Sequence, residues 1–193
     1  LPQLSPDGKQ ILVSIGPGTG KGDVWRFDLE RNLLTRLTFL DIVSQVLWAP
    51  DGGRMLYTTD GVPGQSFLQT LDGRSPPQLV LTSETAPSVS GFSGDGLSIL
   101  FSEYGAPDSN VSVLSVDAAT QPKVIVDEPG PQYGARFSPD GKWVAYAADV
   151  RGGEPEIFVR RFDGGAAKWQ VSSNGGRAPI WSHDGNEIFF LQD

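Results

Sequence analysis

The repeated element of this sequence is clearest in the stretch Ala135-Arg136-Phe137-Ser138-Pro139-Asp140-Gly141-Lys142-Trp143-Val144-Ala145-Tyr146. Gly141 can adopt positive φ without steric cost, and the Asp140 carboxylate can accept hydrogen bonds from backbone N–H groups of its own turn. The stretch therefore predicts two antiparallel strands joined by a tight turn. The pattern occurs five times, at intervals of 44, 44, 45 and 44 residues, with its turn aspartate at Asp7, Asp51, Asp95, Asp140 and Asp184.

Each full repeat contains four apolar segments, which we call strands A to D. Strand A ends in a large apolar residue three positions before the turn aspartate, and strand B follows the turn. Strand C alternates and closes with an aspartate, and a shorter strand D comes next. Four strands in about 44 residues is typical of a β-propeller blade. The residues predicted to form the core between blades are Trp48, Phe92, Phe137 and Trp181.

Apolar residues on both faces of such a sheet cannot remain in water, and radial stacking of blades covers both faces. We therefore predict an all-β fold, a β-propeller of four-stranded antiparallel blades with about 4.4 repeats in one domain over residues 1–193. The repeats are 1–44, 45–88, 89–133, 134–177 and the incomplete 178–193. Three explanations of the incomplete repeat stay open: part of a larger propeller, a ring assembled from several chains, or a small ring closed by its own termini.

Composition narrows the function. The chain has 15 basic and 23 acidic residues, a net charge of −8, which argues against binding to nucleic acid or to an anionic membrane surface. It contains no cysteine, so disulfides and thiolate metal sites are excluded. No apolar run reaches the roughly 18 residues that span a bilayer, so we expect no direct membrane insertion.

The sequence holds no convincing catalytic or metal motif. The stretch Gly16 to Gly22 departs from a phosphate-binding loop, and Ser93 and the single histidine, His183, occupy equivalent turns without a carboxylate to orient the imidazole. The five turn aspartates lie one per blade, whereas calcium needs six to eight converging oxygens, so they are predicted to be structural. We predict a protein that is not an enzyme and needs no metal or cofactor.

The segments that vary between repeats are the B–C and D–A loops, which gather on one face of a propeller and are where binding is normally built. They predict a protein or peptide partner. Self-association through open blade ends is the alternative, and an accessory propeller of a peptidase is the second alternative. The candidate binding residues are Tyr104, Asp108, Tyr133, Arg151, Glu154 and Arg177.

The repeats at 135–146 and 179–190 resemble the WD-like repeats of TolB-type β-propellers. Residues 156–162, 168–172 and 175–176 are similar to the C-terminal propellers of bacterial transmembrane serine/threonine kinases. The first resemblance implies periplasmic protein–protein interaction, and the second implies an extracytoplasmic sensing or binding module. A third resemblance, to the propellers of prolyl oligopeptidase-type enzymes, implies gating of substrate for a separate hydrolase domain. None of them carries a catalytic residue over to this sequence.

Overall fold

The computed structural model describes residues 2–17, 22–104, 109–117, 120–149, 153–165 and 167–192, which form strands and turns. The chain divides into two compact units, an N-terminal unit Leu1–Pro87 and a C-terminal unit Ser88–Asp193. Neighbouring strands within each described sheet are antiparallel and consecutive in sequence, so the predicted four-stranded repeats are confirmed.

The N-terminal unit holds two four-stranded sheets. Blade 1 consists of β1 (Gln3–Leu4), β2 (Gln10–Ile15), β3 (Asp23–Asp28) and β4 (Leu33–Arg36). Blade 2 consists of β5 (Val43–Trp48), β6 (Arg54–Thr59), β7 (Gly64–Thr70) and β8 (Gln78–Ser83).

The C-terminal unit holds two four-stranded sheets and a two-stranded one. Blade 3 consists of β9 (Ala86–Phe92), whose first two residues precede the unit boundary, β10 (Ser98–Tyr104), β11 (Val111–Ser115) and β12 (Lys123–Val126). Blade 4 consists of β13 (Gln132–Phe137), β14 (Trp143–Asp149), β15 (Pro155–Arg161) and β16 (Lys168–Gln170). Blade 5 contributes β17 (Arg177–Trp181) and β18 (Ile188–Leu191).

The apolar core of each unit lies between neighbouring blades. In the N-terminal unit, Leu12 and Val24 of blade 1 cluster with Met55 and Tyr57 of blade 2. In the C-terminal unit, blades 3 and 4 share a cluster of Leu100, Val111, Val126, Ala135, Val144, Tyr146, Ala148 and Phe158. Burial of apolar area, at about 25 cal/mol per Å², therefore stabilises contacts between sheets that could not stand alone.

The predicted core aromatic residues lie at these blade contacts or beside them. The indole Nε1–H of Trp48 donates to the Gln3 carbonyl of blade 1 at 2.9 Å, and that of Trp181 donates to the Arg136 carbonyl of blade 4 at 3.2 Å. Phe137 is half-buried and packs edge-on against Phe162, with 5.0 Å between ring centroids. Phe92 is half-buried. Each indole thus contacts the preceding blade within its own unit.

The turn between strands A and B is held by a serine as well as by its aspartate. In blade 4, the Ser138 hydroxyl donates to Asp140 at 2.6 Å and accepts from the Trp143 N–H at 2.9 Å, while Asp140 also accepts from the Lys142 N–H. The same arrangement occurs at Ser5, Ser93 and Ser182. The serine hydroxyl is the main cause that lowers the pKa of Asp7, Asp95, Asp140 and Asp184, the last to about 2.

Blade 2 lacks this hydroxyl, because Ala49 stands where the other blades have serine. The N–H of Arg54 donates to Asp51 at 3.0 Å instead. Since the backbone of this turn is otherwise bonded like the others, Ala49→Ser is expected to raise the free energy of unfolding in urea by about 0.5–1 kcal/mol. The control is Ala135→Ser, which places a hydroxyl in the apolar cluster of blades 3 and 4. A loss of stability in Ala49→Ser as large as in this control would contradict the role given to the serine.

Strand A begins earlier than predicted. The segments 39–44, 83–88, 128–134 and 174–178 are predicted as D–A loops, but β5, β9, β13 and β17 begin inside them. For β5, β13 and β17 the error is explained by register shifts, between Val43 and Gln45, Tyr133 and Arg136, and Arg177 and Ile180, because a bulge breaks the alternation by which a strand is recognised. Tyr133 and Arg177 are therefore strand residues rather than loop residues.

The predicted ends of strand C also need correction. Asp28 ends β3 as predicted, but β7, β11 and β15 end before their closing aspartates, Asp72, Asp117 and Asp163. Asp72 accepts from the Arg74 N–H at 3.0 Å, and Asp163 accepts from the Gly165 N–H at 3.3 Å. Asp72 and Asp163 thus cap their C–D turns from positions two residues beyond the end of the strand.

Candidate functional site

Two of the predicted binding residues, Glu154 and Arg177, lie in one cleft of the C-terminal unit. Its wall consists of Glu154, Pro155, Asn174, Gly175, Gly176, Arg177 and Leu191. Glu154 and Arg177 are exposed and bring opposite charges to a cleft whose remaining wall includes two glycines. We call this the Glu154–Arg177 cleft.

The other predicted binding residues are not brought into this cleft. Tyr133 lies in β13, opposite Ala147 of β14. Asp108 and Arg151 lie outside the described residues, as does the side chain of Tyr104. Of the six, the described part of the chain therefore joins only Glu154 and Arg177.

Hydrogen bonds fix the segment that forms one side of the cleft. The Glu156 carboxylate accepts from the buried Ser172 hydroxyl and from the Gly175 N–H, the latter at 3.1 Å. The Ser172 hydroxyl in turn accepts from the N–H of Ile157 at 2.8 Å. The Gly176 N–H donates to the Pro155 carbonyl at 2.6 Å. Residues 172–176 are thereby tied to the start of β15 at several points.

The two glycines of this segment are required by its geometry. Gly175 has a φ of +84°, in the left-handed region. A Cβ on Gly176 would lie 2.8 Å from both Ile157 Cγ1 and Ser172 Oγ. A side chain at either position would displace the chain that positions Arg177.

Blade 1 has the same arrangement, in which an acid of strand C accepts a hydrogen bond from a hydroxyl of the segment after strand D. The buried Asp23 carboxylate accepts from the Thr38 hydroxyl at 2.7 Å, from the Leu40 N–H at 2.6 Å and from the Arg36 guanidinium. Burial alone would raise the pKa of Asp23, but these hydrogen bonds outweigh it and hold the pKa well below 3.8. Thr38 accepts from the Val24 N–H at 2.9 Å, as Ser172 does from Ile157.

The anchored segment of blade 1 presents apolar side chains to solvent. Phe39 is 74% exposed, and Leu40 and Ile42 are exposed as well. The Arg36 guanidinium lies over the Phe39 ring, 4.7 Å from its centroid. This acid–hydroxyl pair is not among the residues that the sequence pattern predicts. The signal that an alignment of repeats 1 and 4 contains is an acid at the start of strand C, followed 15 or 16 residues later by a Ser or Thr.

Of the two turn residues considered for catalysis, one is hydrogen-bonded within its own turn and the other is exposed. The Ser93 hydroxyl donates to Asp95 at 2.6 Å and is thus committed to its own turn, and His183 is exposed in the last A–B turn. Within the described ranges, no group of three or more His, Asp or Glu side chains is placed to hold a metal ion. In the same ranges no helix is long and apolar enough to cross a membrane.

Blades of this kind, stacked through their apolar faces, define a β-propeller, and comparison with solved structures agrees. A TolB-type protein from Agrobacterium tumefaciens superposes with a TM-score of 0.80 at 22% identity over 98% of this chain and 68% of that one. TolB from Acinetobacter baumannii gives 0.77 at 21% identity over 96% and 47%. The propeller domain of the trilobed protease from Pyrococcus furiosus gives 0.70 at 13% identity over 98% and 62%.

The fold is therefore that of a TolB-like β-propeller, as the repeats predict. No protein-family model matches the sequence. Other similar structures include hydrazine synthase, an oligogalacturonate lyase and the nidogen–laminin complex, so the fold alone does not separate binding from catalysis.

Proposed function

We propose that this chain is a non-catalytic, protein-binding propeller module that holds a peptide segment of its partner in the Glu154–Arg177 cleft. The observation that carries the proposal is the placement of two opposite charges in one cleft, beside a segment that hydrogen bonds of Glu156 and Ser172 hold in place. A preorganised site loses little conformational entropy on binding, which favours recognition of an extended chain.

Charge indicates the kind of partner. The net charge of −8 attracts basic proteins over a distance and raises their association rate at low salt. Within the cleft, Glu154 suits a basic side chain of the bound peptide, and Arg177 suits a carboxylate or a main-chain carbonyl of that peptide. TolB-like structure and the sequence resemblance favour an extracytoplasmic location. The likeness to kinase propellers stays a prediction.

Peptide selection tests the proposal. We expect a displayed library of random peptides, selected on the immobilised chain, to yield basic sequences whose affinity falls about tenfold or more in Glu154→Gln and in Arg177→Gln. The controls are Glu187→Gln and Arg74→Gln, which remove the same charges from exposed turn positions. Selected peptides that bind the two cleft variants as tightly as the wild type would refute the cleft as the binding site.

Self-association is a second candidate, favoured by blade 5. Ile180, Phe189 and Leu191 are each more than half exposed on its two strands, and β18 pairs only with β17 among the described strands. An apolar face beside an open strand edge is a template for pairing with another chain. Sedimentation velocity distinguishes the candidates. A single species of 20.7 kDa at all concentrations opposes self-assembly, whereas a larger species that dissociates in the Phe189→Ser variant supports it.

An accessory role beside a peptidase is the third candidate, for which the trilobed protease propeller gives a structural example.

A further inference from the structure

A second cleft of the C-terminal unit contains an arginine with a buried guanidinium nitrogen that the described residues leave unsatisfied. Arg136 lies in β13 with most of its side chain covered. Its Nη1 is buried and has no hydrogen-bond partner among the described residues. Burial lowers the pKa of the guanidinium. A buried charge without a partner is costly, because the solvation that it loses is not replaced.

The repeat shows that the fold does not require a charge here. Arg136 directly precedes the core aromatic residue of its blade, and the equivalent residues are Gln3, Leu47, Gly91 and Ile180. Every other blade therefore fills this position with an uncharged residue. Gly91 of blade 3 lies beside the arginine: a Cβ added there would make ordinary van der Waals contact, at 3.6 Å, with both Cδ and Nη1 of Arg136.

The surroundings of Arg136 are apolar and open to solvent on one side. The cleft that it lines includes Phe92, Phe137, Ile180 and Trp181, together with the polar side chains of Ser138, Ser182 and His183. The Trp181 indole is fixed by its hydrogen bond to the Arg136 carbonyl. A guanidinium within aromatic walls pairs strongly with an anion, because little water competes for it.

We propose that this cleft binds a carboxylate carried on an apolar group, with the Arg136 guanidinium as its counter-ion. A single planar cation matches the two oxygens of one carboxylate, whereas a phosphate dianion would call for further cations, and none of the residues that line this cleft is a lysine or a second arginine. Phe92, Ile180 and Trp181 suit an aromatic or branched carrier. The proposal concerns a site other than the Glu154–Arg177 cleft and does not depend on it.

The probe is N-acetylphenylalanine, with its amide as the uncharged match. We expect the acid to shift the NMR resonance of the Trp181 indole N–H saturably, and the amide to bind at least about tenfold more weakly. The resonance is assigned with Trp181→Phe. Arg136→Leu, which installs the residue that blade 2 has at this position, is expected to abolish binding of the acid and to melt at the same or a higher temperature. Arg160→Met, which removes another arginine of blade 4, is expected to leave the affinity unchanged.

Three outcomes would overturn the proposal: equal affinity for acid and amide, unchanged binding in Arg136→Leu, or inorganic phosphate binding more tightly than the acid. If Arg136→Leu does not fold, Arg136→Lys replaces it, since lysine retains the charge but loses the planar pair of donors. Binding to Arg136→Lys as tight as to the wild type would then count against the paired geometry.

Discussion

Asp23→Asn is expected to lower the free energy of unfolding by about 3 kcal/mol, because it removes the buried member of a hydrogen-bonded ion pair. The Asp23 carboxylate accepts from the Thr38 hydroxyl, the Leu40 N–H and the Arg36 guanidinium, and its side chain is 2% exposed. An amide keeps the shape but supplies one acceptor oxygen in place of two, and it leaves Arg36 without its buried counter-charge. Urea denaturation followed by circular dichroism measures the loss.

Asp41→Asn is the matched control. Asp41 contacts the same Arg36 at 3.2 Å, but its side chain is 73% exposed. Its φ of +57° is one that asparagine tolerates as well as aspartate, so the substitution removes only the charge. Exposed ion pairs contribute at most about 1 kcal/mol, and we expect a loss below that value. Equal losses in the two variants would show that burial of Asp23 is not what makes its pair important.

The stabilities of the wild type and of Asp23→Asn should also respond differently to acid. The folded-state pKa of Asp23 lies below its ordinary value of 3.8, so its contribution is complete above that pH and declines as the pH falls towards the folded-state pKa. The stability gap between wild type and Asp23→Asn is therefore expected to narrow below about pH 4. A gap that stays constant down to pH 2 would contradict the ion-pair explanation.

Much of the fold could be predicted because the repeat carries its own turn chemistry. Asp140 and Gly141, and their four equivalents, mark a geometry that few other residues can adopt, and the spacing of 44 or 45 residues multiplies that signal. The serine of the same motif was visible at four of the five positions, but its role was not. A hydroxyl that donates to the aspartate and accepts from the N–H that begins strand B is recognised only once both partners have coordinates.

Less of the candidate site could be predicted. Glu154 and Arg177 were named because they are of the charged and aromatic types that interfaces favour and lie in variable segments. The same criterion named Tyr133, and it could not bring any two of these residues together. What unites Glu154 and Arg177 is the hydrogen-bonded segment between them, anchored by Glu156 and Ser172. Those anchors look like ordinary polar residues in sequence. Bulges in strand A hide where the loops end, so a residue such as Arg177 is assigned to a loop when it belongs to β17.

A repeat protein also makes exceptions interpretable. The position of Arg136 in blade 4 holds an uncharged residue in each of the other four blades. The fold of a blade therefore does not require a charge there, and Arg136 calls for another reason. Ala49 is the opposite case, since a polar group is missing where the other blades have one. Both exceptions are visible in the sequence. Only burial and hydrogen bonding in the structure show that Ala49 lacks a turn hydrogen bond and that Arg136 carries a buried charge with an unsatisfied nitrogen.

Tyr146→Ala is expected to be the most damaging of these substitutions, lowering the free energy of unfolding by about 4 kcal/mol. Tyr146 is fully buried in the cluster between blades 3 and 4, where its ring stacks on Phe158 at a centroid distance of 5.9 Å. The alanine leaves a cavity lined by residues of both blades, and rigid sheets on either side cannot collapse into it. The same denaturation experiment measures the effect.

Tyr146→Phe separates the ring from the hydroxyl. The hydroxyl donates to Glu128 at 3.1 Å, and Glu128 keeps a second partner in Lys168 at 2.7 Å. Burial, and then the Glu128 charge, raise the pKa of Tyr146, so the hydroxyl stays protonated and donates throughout the neutral range. Because the phenyl ring fills the cavity and Lys168 still satisfies the carboxylate, Tyr146→Phe should cost only about 1 kcal/mol. If Phe proved as costly as Ala, the contact between these blades would depend on the Glu128 hydrogen bond rather than on the packing of apolar faces that makes one blade need the next.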